Sequence, residues 1–202
     1  MLLVDTSQYP AKDRAALIID QFSDPASGYF APADGDDLTK MRMRFRTWDM
    51  GDGCDLLNVQ TSSLLIGMRP PRFSSAPDPV IGFALNLNPS GPMRFSQDDR
   101  REIVPGGIMY IAEMSEAFTL RFGSGADSEA INLRIPLEVL DLPLRDVRKA
   151  AQFLPRSPLY EIARHHLLTL ARYTEEFDEP QPNAQQAALH VLRALIKSFS
   201  TG

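Results

Sequence analysis

Between Val80 and Pro136 the chain is a succession of short apolar or alternating runs: Val80-Ile-Gly-Phe-Ala-Leu-Asn-Leu, Met93-Arg-Phe-Ser, Arg101-Glu-Ile-Val, Ile108-Met-Tyr-Ile-Ala, Phe118-Thr-Leu-Arg-Phe and Ala130-Ile-Asn-Leu-Arg-Ile. Clusters of Pro, Gly, Asn or Asp close each run at nearly regular spacing, among them Asn88-Pro-Ser-Gly-Pro92, Gln97-Asp-Asp-Arg100 and Val104-Pro-Gly-Gly107. A period of two with marked turns predicts antiparallel strands that form a barrel or sandwich. Ile108 to Ala112, apolar throughout, reads as a strand covered on both faces.

The flanks carry a different period. In Pro10 to Phe22, Ala15, Ile18, Ile19 and Phe22 recur at helical spacing, which predicts a helix lying on an apolar surface. Ser23 to Asp37 reads as a loop with a solvated acidic cluster at Asp34, Asp36 and Asp37. From Met41, Met43, Phe45 and Thr47 alternate with Arg42, Arg44, Arg46 and Trp48, giving one apolar face and one basic face before the turn at Met50-Gly-Asp-Gly. The arginine face is read first as an outer solvated surface, with an anion site as the sharper alternative. Cys54–Gln60 and Ser63–Met68 read as the next pair of strands, and the proline-laden Arg69–Pro79 as a loop.

After Pro136 come a helical turn and a small helix within Leu137–Ala151, then Ser157-Pro158 as the start of a longer helix. Leu159, Ala163, His166, Leu170, Tyr173 and Phe177 alternate steps of four and three along it. Asp178-Glu-Pro-Gln-Pro182 breaks the pattern, Asn183 with Gln186 suggests a capping box, and Ala188, Leu192, Leu195 and Phe199 repeat the seam. Two such helices form a hairpin with more apolar width than one antiparallel neighbour covers. The surplus meets either the barrel or a second subunit. The predicted organisation is α+β: residues 1–39 as a helix and loop packing on the barrel, 40–136 as a cupin-like antiparallel β-barrel or jelly roll, and 137–202 as an α-helical hairpin for dimerisation and linkage.

The chain has 202 residues and a formal net charge of −5, with thirteen basic and eighteen acidic residues before Glu138 and eight of each from there on. No segment has the basic excess that gripping nucleic-acid phosphates requires, so DNA contact by this chain alone is not expected. No apolar run reaches membrane-spanning length and the start turns polar too soon for a signal peptide, which predicts a cytoplasmic protein with no membrane partner. The single cysteine, Cys54, is read as a buried thiol without a role.

A barrel of this size is where metal-dependent cupin enzymes set two or three histidines and a glutamate. Here the three histidines, His165, His166 and His190, all fall in the helical region. No metal, cofactor or catalytic group is expected. The alternative class, a small metal-independent isomerase or lyase, would use a carboxylate such as Glu113 or Glu129 as acid or base. What remains is an apolar pocket for a small-molecule effector, with Trp48, Phe83, Leu85, Tyr110, Ile131 and Leu133 as candidate lining residues. Asn132 and Arg134 offer polar handles, but alternation sets them opposite Ile131 and Leu133. Leu159, Ala163, His166, Leu170, Tyr173, Ala188, Leu192, Leu195 and Phe199 are the candidate dimer interface.

Three segments in this order, Ile103-Val-Pro-Gly-Gly-Ile-Met-Tyr-Ile, Ser115-Glu-Ala-Phe-Thr-Leu-Arg-Phe and Asn132-Leu-Arg-Ile-Pro-Leu-Glu-Val-Leu, followed by the helical hairpin, resemble the N-terminal effector-binding and dimerisation domain of AraC-type transcriptional regulators. Gly107 stands where that family usually has Asp. The resemblance covers most of residues 40 to 200 and implies a cupin-type barrel that binds an effector, and a hairpin that makes a homodimer. It further implies that DNA is met through a C-terminal helix-turn-helix domain outside this chain, in a regulator rather than an enzyme. A stand-alone partner that heterodimerises with a full-length relative is the remaining alternative.

Overall fold

The structure is a computed structural model that describes residues 2–22, 42–62, 65–68, 79–88, 91–121, 127–176 and 183–199. Among them are ten strands, β1 (Leu2–Asp5), β2 (Met43–Gly51), β3 (Cys54–Ser62), β4 (Leu65–Met68), β5 (Val80–Asn86), β6 (Met93–Gln97), β7 (Arg100–Val104), β8 (Met109–Glu113), β9 (Phe118–Arg121) and β10 (Asp127–Pro136). Five helices join them: α1 (Ala11–Phe22), α2 (Leu137–Leu140), α3 (Leu144–Phe153), α4 (Tyr160–Glu176) and α5 (Ala184–Lys197). The loops expected at Ser23–Asp37 and, apart from Pro79, at Arg69–Pro79 lie outside the described residues.

The strands pair antiparallel in two sheets, a large one in the order β1-β2-β3-β10-β5-β8 and a small one in the order β4-β9-β6-β7. The turn chemistry read from the sequence is in place. Gly51, Asp52 and Gly53 all take positive φ between β2 and β3, where glycine removes the steric cost. Asp98, also at positive φ, turns β6 into β7. One pairing differs from expectation: β3 pairs with β2 and β10, while β4 crosses to the small sheet beside β9. The ten-residue β10 runs between β3 and β5 through the middle of the large sheet.

Two apolar clusters lie on opposite faces of the large sheet. Between the sheets, Met43, Phe45, Leu57, Val59, Ala84, Tyr110, Ala112 and Ala130 meet Met93, Phe95, Val104 and Phe118 of the small sheet, and Ala15 and Ile18 of α1 close over this cluster. On the other face, Trp48, Leu56, Phe83, Leu85, Met109, Ile111, Ile131 and Leu133 pack against α2 to α5. Both faces of β8 are therefore covered, as its uninterrupted apolar run demands.

The helix starts differ in detail from expectation, α4 beginning at Tyr160 and not directly after Ser157. Ser157 Oγ accepts a hydrogen bond from the Leu159 N–H at 3.1 Å at the start of α4. The capping box at Asn183 does not form: Asn183 is in the α region without a side-chain cap. Instead the neighbouring Gln185 donates through Nε2 to the Gly51 carbonyl at 3.0 Å, tying α5 to the β2–β3 turn.

Candidate functional site

The residues that sequence alternation groups together do share a face, but it is the face under the helices. Phe83, Leu85, Ile131 and Leu133 are at most 1 % exposed and sit in the cluster with α2 to α5. Trp48, also 1 % exposed, joins them. Of the six expected pocket residues, Tyr110 alone points between the sheets. The physical reason is that β5 and β8 carry apolar side chains on both faces, so alternation separates the two sets without saying which is enclosed. The helical hairpin needs a broad apolar partner, and the larger side chains supply it.

The enclosed face therefore carries the set placed opposite Ile131 and Leu133: Ala130, Asn132 and Arg134 on β10, with Gly82 and Ala84 beside them on β5. Asn132 Nδ2 lies 3.7 Å from the Met114 sulfur, and its Oδ1 is buried without a hydrogen-bond partner. A buried amide oxygen left unpaired is costly, and Asn132 stands on the face of β10 turned toward the small sheet. Gly82 makes room for it, since a Cβ there would come within 2.8 Å of Asn132 Oδ1 and 2.9 Å of Met114 Sδ. Arg134 forms an ion pair with Asp55 on the adjoining strand. Tyr110 stacks obliquely on Phe95 at 5.2 Å between centroids, and its hydroxyl lies 3.9 Å from the Met93 sulfur. Burial pushes the Tyr110 phenol well above its usual range, so it stays neutral.

The seam of the helical hairpin is an internal joint. Ala163, Leu170, Ala188, Leu192 and Leu195 are buried within the single chain, against the sheet and each other. Leu159 and Phe199 are partly buried on the same cluster, while the side chain of Tyr173 lies outside the described residues. A partner subunit has no access to the buried members. His166 is half-buried, with Nε2 lacking a hydrogen-bond partner and its pKa lowered by burial, while His165 and His190 are exposed. The outward surface of the hairpin instead presents Ile162, which is 58 % exposed, together with Ala187, His190 and Ala194 and the half-buried Val191.

Polar ties from the helices to the sheet and to one another were not read from sequence. The Tyr160 hydroxyl accepts the Met109 N–H at 2.9 Å, and Arg193 donates to the carbonyls of Leu140 and Val139 at 3.0 and 2.6 Å. Arg and Tyr at helix positions give no sign of which distant backbone group they reach.

Two surface clefts stand out. One, of about 200 Å3, lies between α3 and the β6–β7 hairpin, where Arg148 bridges to Glu113 at 2.9 Å and Gln97 exchanges hydrogen bonds with the Glu113 backbone. The other, of about 360 Å3, opens at the end of β2 beside Arg42, Arg44, Gln60 and Glu129. The two carboxylates weighed as acid or base are both engaged, Glu113 by Arg148 and Glu129 by Asn58 Nδ2 at 2.8 Å. Among the described residues no helix is long and apolar enough to cross a membrane, and no group of three potential metal ligands converges.

In comparisons with solved structures, the AraC-like transcriptional activator CuxR aligns over 97 % of this chain and 69 % of its own, with TM-score 0.72 and 13 % identity, which shows a shared fold. A cupin domain of an XRE family transcriptional regulator from Enterobacter cloacae aligns over 46 % of this chain and 94 % of its own at 14 % identity and TM-score 0.37. An RmlC-like cupin protein from Desulfovibrio desulfuricans covers 46 % of this chain and 82 % of its own at 14 % identity and TM-score 0.35; neither value is high enough to bear on the fold. No curated protein matches the sequence significantly. The family model of the AraC-binding-like domain matches residues 31–199, from before β2 to just past α5, and the chain therefore belongs to the AraC-binding-like domain family.

Proposed function

We propose that this domain is the sensing part of a transcription regulator, which takes up a small-molecule effector between its two sheets and relays its presence through the helices to a DNA-binding domain outside this chain. The observation that supports this best is the double use of one sheet. Asn132 and Tyr110 stand on the enclosed face of β10 and β8, while Ile131, Leu133 and Met109 on the same strands hold α2 to α5. A ligand that shifts those strands must shift the helix seat as well, because packed interfaces respond as units.

The same reading makes the domain a homodimer through the outward surface of the α4–α5 hairpin, around Ile162 and Val191, and a binding module rather than an enzyme. A thermal-shift screen of small molecules on the wild type and on Asn132→Leu tests the pocket. An effector between the sheets raises the wild-type melting temperature by mass action and loses that effect in the variant. A stabilising ligand with an undiminished shift in Asn132→Leu contradicts this placement. For the dimer, the wild type has twice the chain mass in solution and Ile162→Arg has the single-chain mass; a monomeric wild type at micromolar concentration contradicts it.

A further inference from the structure

Away from the enclosed face, four strands lay a polar row across one end of the large sheet. Asp5 on β1 opposes Arg44 on β2, Arg44 opposes Gln60 on β3, and Gln60 opposes Glu129 on β10. Directly opposed residues point to the same side, so all four stand together. Arg42, two residues before Arg44, stands at the next position, where its backbone N–H donates to Ser62 Oγ at 2.9 Å. With Ser7, Thr61 and Ser128 these residues line the cleft of about 360 Å3, where Met43 is the single apolar lining residue among the described residues.

Two features depart from an ordinary solvated face. Arg44 Nε is buried yet has no hydrogen-bond partner. A buried, charge-bearing donor calls for an acceptor, and the cleft is where one would sit. The acids in the row are also directed elsewhere. Asp5 Oδ1 accepts from the N–H and hydroxyl of Ser7 at 2.9 and 2.6 Å, and Glu129 Oε1 accepts from Asn58 Nδ2 at 2.8 Å. The Ser7 hydroxyl is the main cause of the low Asp5 pKa, and Arg44 contributes least among the causes.

We propose that this cleft binds a small zwitterion of the α-amino acid kind, with its carboxylate on Arg44 and Arg42 and its ammonium on Glu129. The balance of charge favours this over a simple anion. Two arginines and two carboxylates line the cleft, so an anion drawn to Arg44 is repelled by Glu129, whereas a molecule with both signs answers both. The guanidinium fork matches a carboxylate, and one hydrogen bond from Asn58 leaves Glu129 most of its acceptor capacity. Spacing agrees as well. From β2 to β10 is two strand intervals, about 9.5 Å between backbones, which sets the two opposite charges a small molecule's length apart on one face. Glu129 and Asn132 stand on opposite faces of β10, so this site is independent of a pocket between the sheets.

The test is a titration of the full chain with each standard amino acid at millimolar concentration, followed by NMR shifts or calorimetry. At least one amino acid binds saturably with one-to-one stoichiometry. Its affinity falls about tenfold or more in Arg44→Gln and in Glu129→Gln, and stays unchanged in Arg94→Gln, an exposed arginine on β6. Arg42→Gln repeats the loss at an exposed position, in case Arg44→Gln perturbs the fold. The N-acetyl derivative and the carboxamide of the bound amino acid each bind about tenfold more weakly, since each lacks one charge. Absence of saturable binding by every amino acid overturns the proposal. Equal binding of the N-acetyl derivative, or an unchanged affinity in Glu129→Gln, also overturns it, because the ammonium then has no partner.

Discussion

Gly82 has no side chain, and the space it leaves is filled by Asn132 and Met114 on either side of it. Gly82→Ala makes Asn132 Oδ1 and Met114 Sδ shift, and because both are the far ends of flexible side chains the cost is at the low end for overpacking, about 1 kcal/mol in chemical unfolding; a loss of several kcal/mol would mean that both side chains are held fixed. His166 carries a pH dependence. Burial holds its pKa below the ordinary imidazole value, so the folded chain binds this proton less readily than the unfolded one. Its contribution to stability is complete above about pH 6.5 and is lost as the pH falls from there toward the folded pKa. Replacing it with glutamine removes that part of the slope in unfolding curves measured from pH 7.5 down to 5.5; a slope that persists would place its origin elsewhere. At this scale the sequence told which groups exist and roughly where. It located all three histidines on helices, but the half-buried state of one and the orphaned oxygen of Asn132 depend on neighbours far along the chain.

Spacing in the helices and strands was legible to within a residue or two. Alternation correctly set Phe83 and Leu85 together, and Ile131 and Leu133 together; the steps of four and three correctly picked Ala163, Leu170, Ala188, Leu192 and Leu195 as one apolar stripe. What periodicity does not carry is the identity of the covering surface. Two stripes, each expected to face something else, face one another: the strand set meets the helix set. Turn signals at Gly51–Gly53 and Asp98 survive because they act within a few residues, whereas the box at Asn183 does not form, Asn183 itself taking the α conformation. The joint between helix and strand is also polar. Tyr160→Phe leaves the buried Met109 N–H without an acceptor and costs about 1–3 kcal/mol while removing a single oxygen. Loss of less than half a kcal/mol in thermal or urea unfolding would mean that another group takes the hydroxyl's place.

At the scale of the whole molecule, the order of strands was the least legible feature, because it rests on pairings between segments dozens of residues apart. The crossing of β4 into the small sheet and the central position of β10 leave no local mark. Membership of the AraC-binding-like family agrees with this architecture. The account has one large sheet at its centre, with the small sheet covering one face and the helices α2 to α5 packed on the other. Its most direct test is Leu192→Ala, compared with the wild type by urea unfolding at a low and a high protein concentration. Leu192 has no exposed surface, so the account predicts a loss of about 2–5 kcal/mol that is the same at both concentrations, with the mass in solution unchanged. A loss that grows or vanishes with concentration, accompanied by dissociation, would put Leu192 in a subunit interface and contradict it.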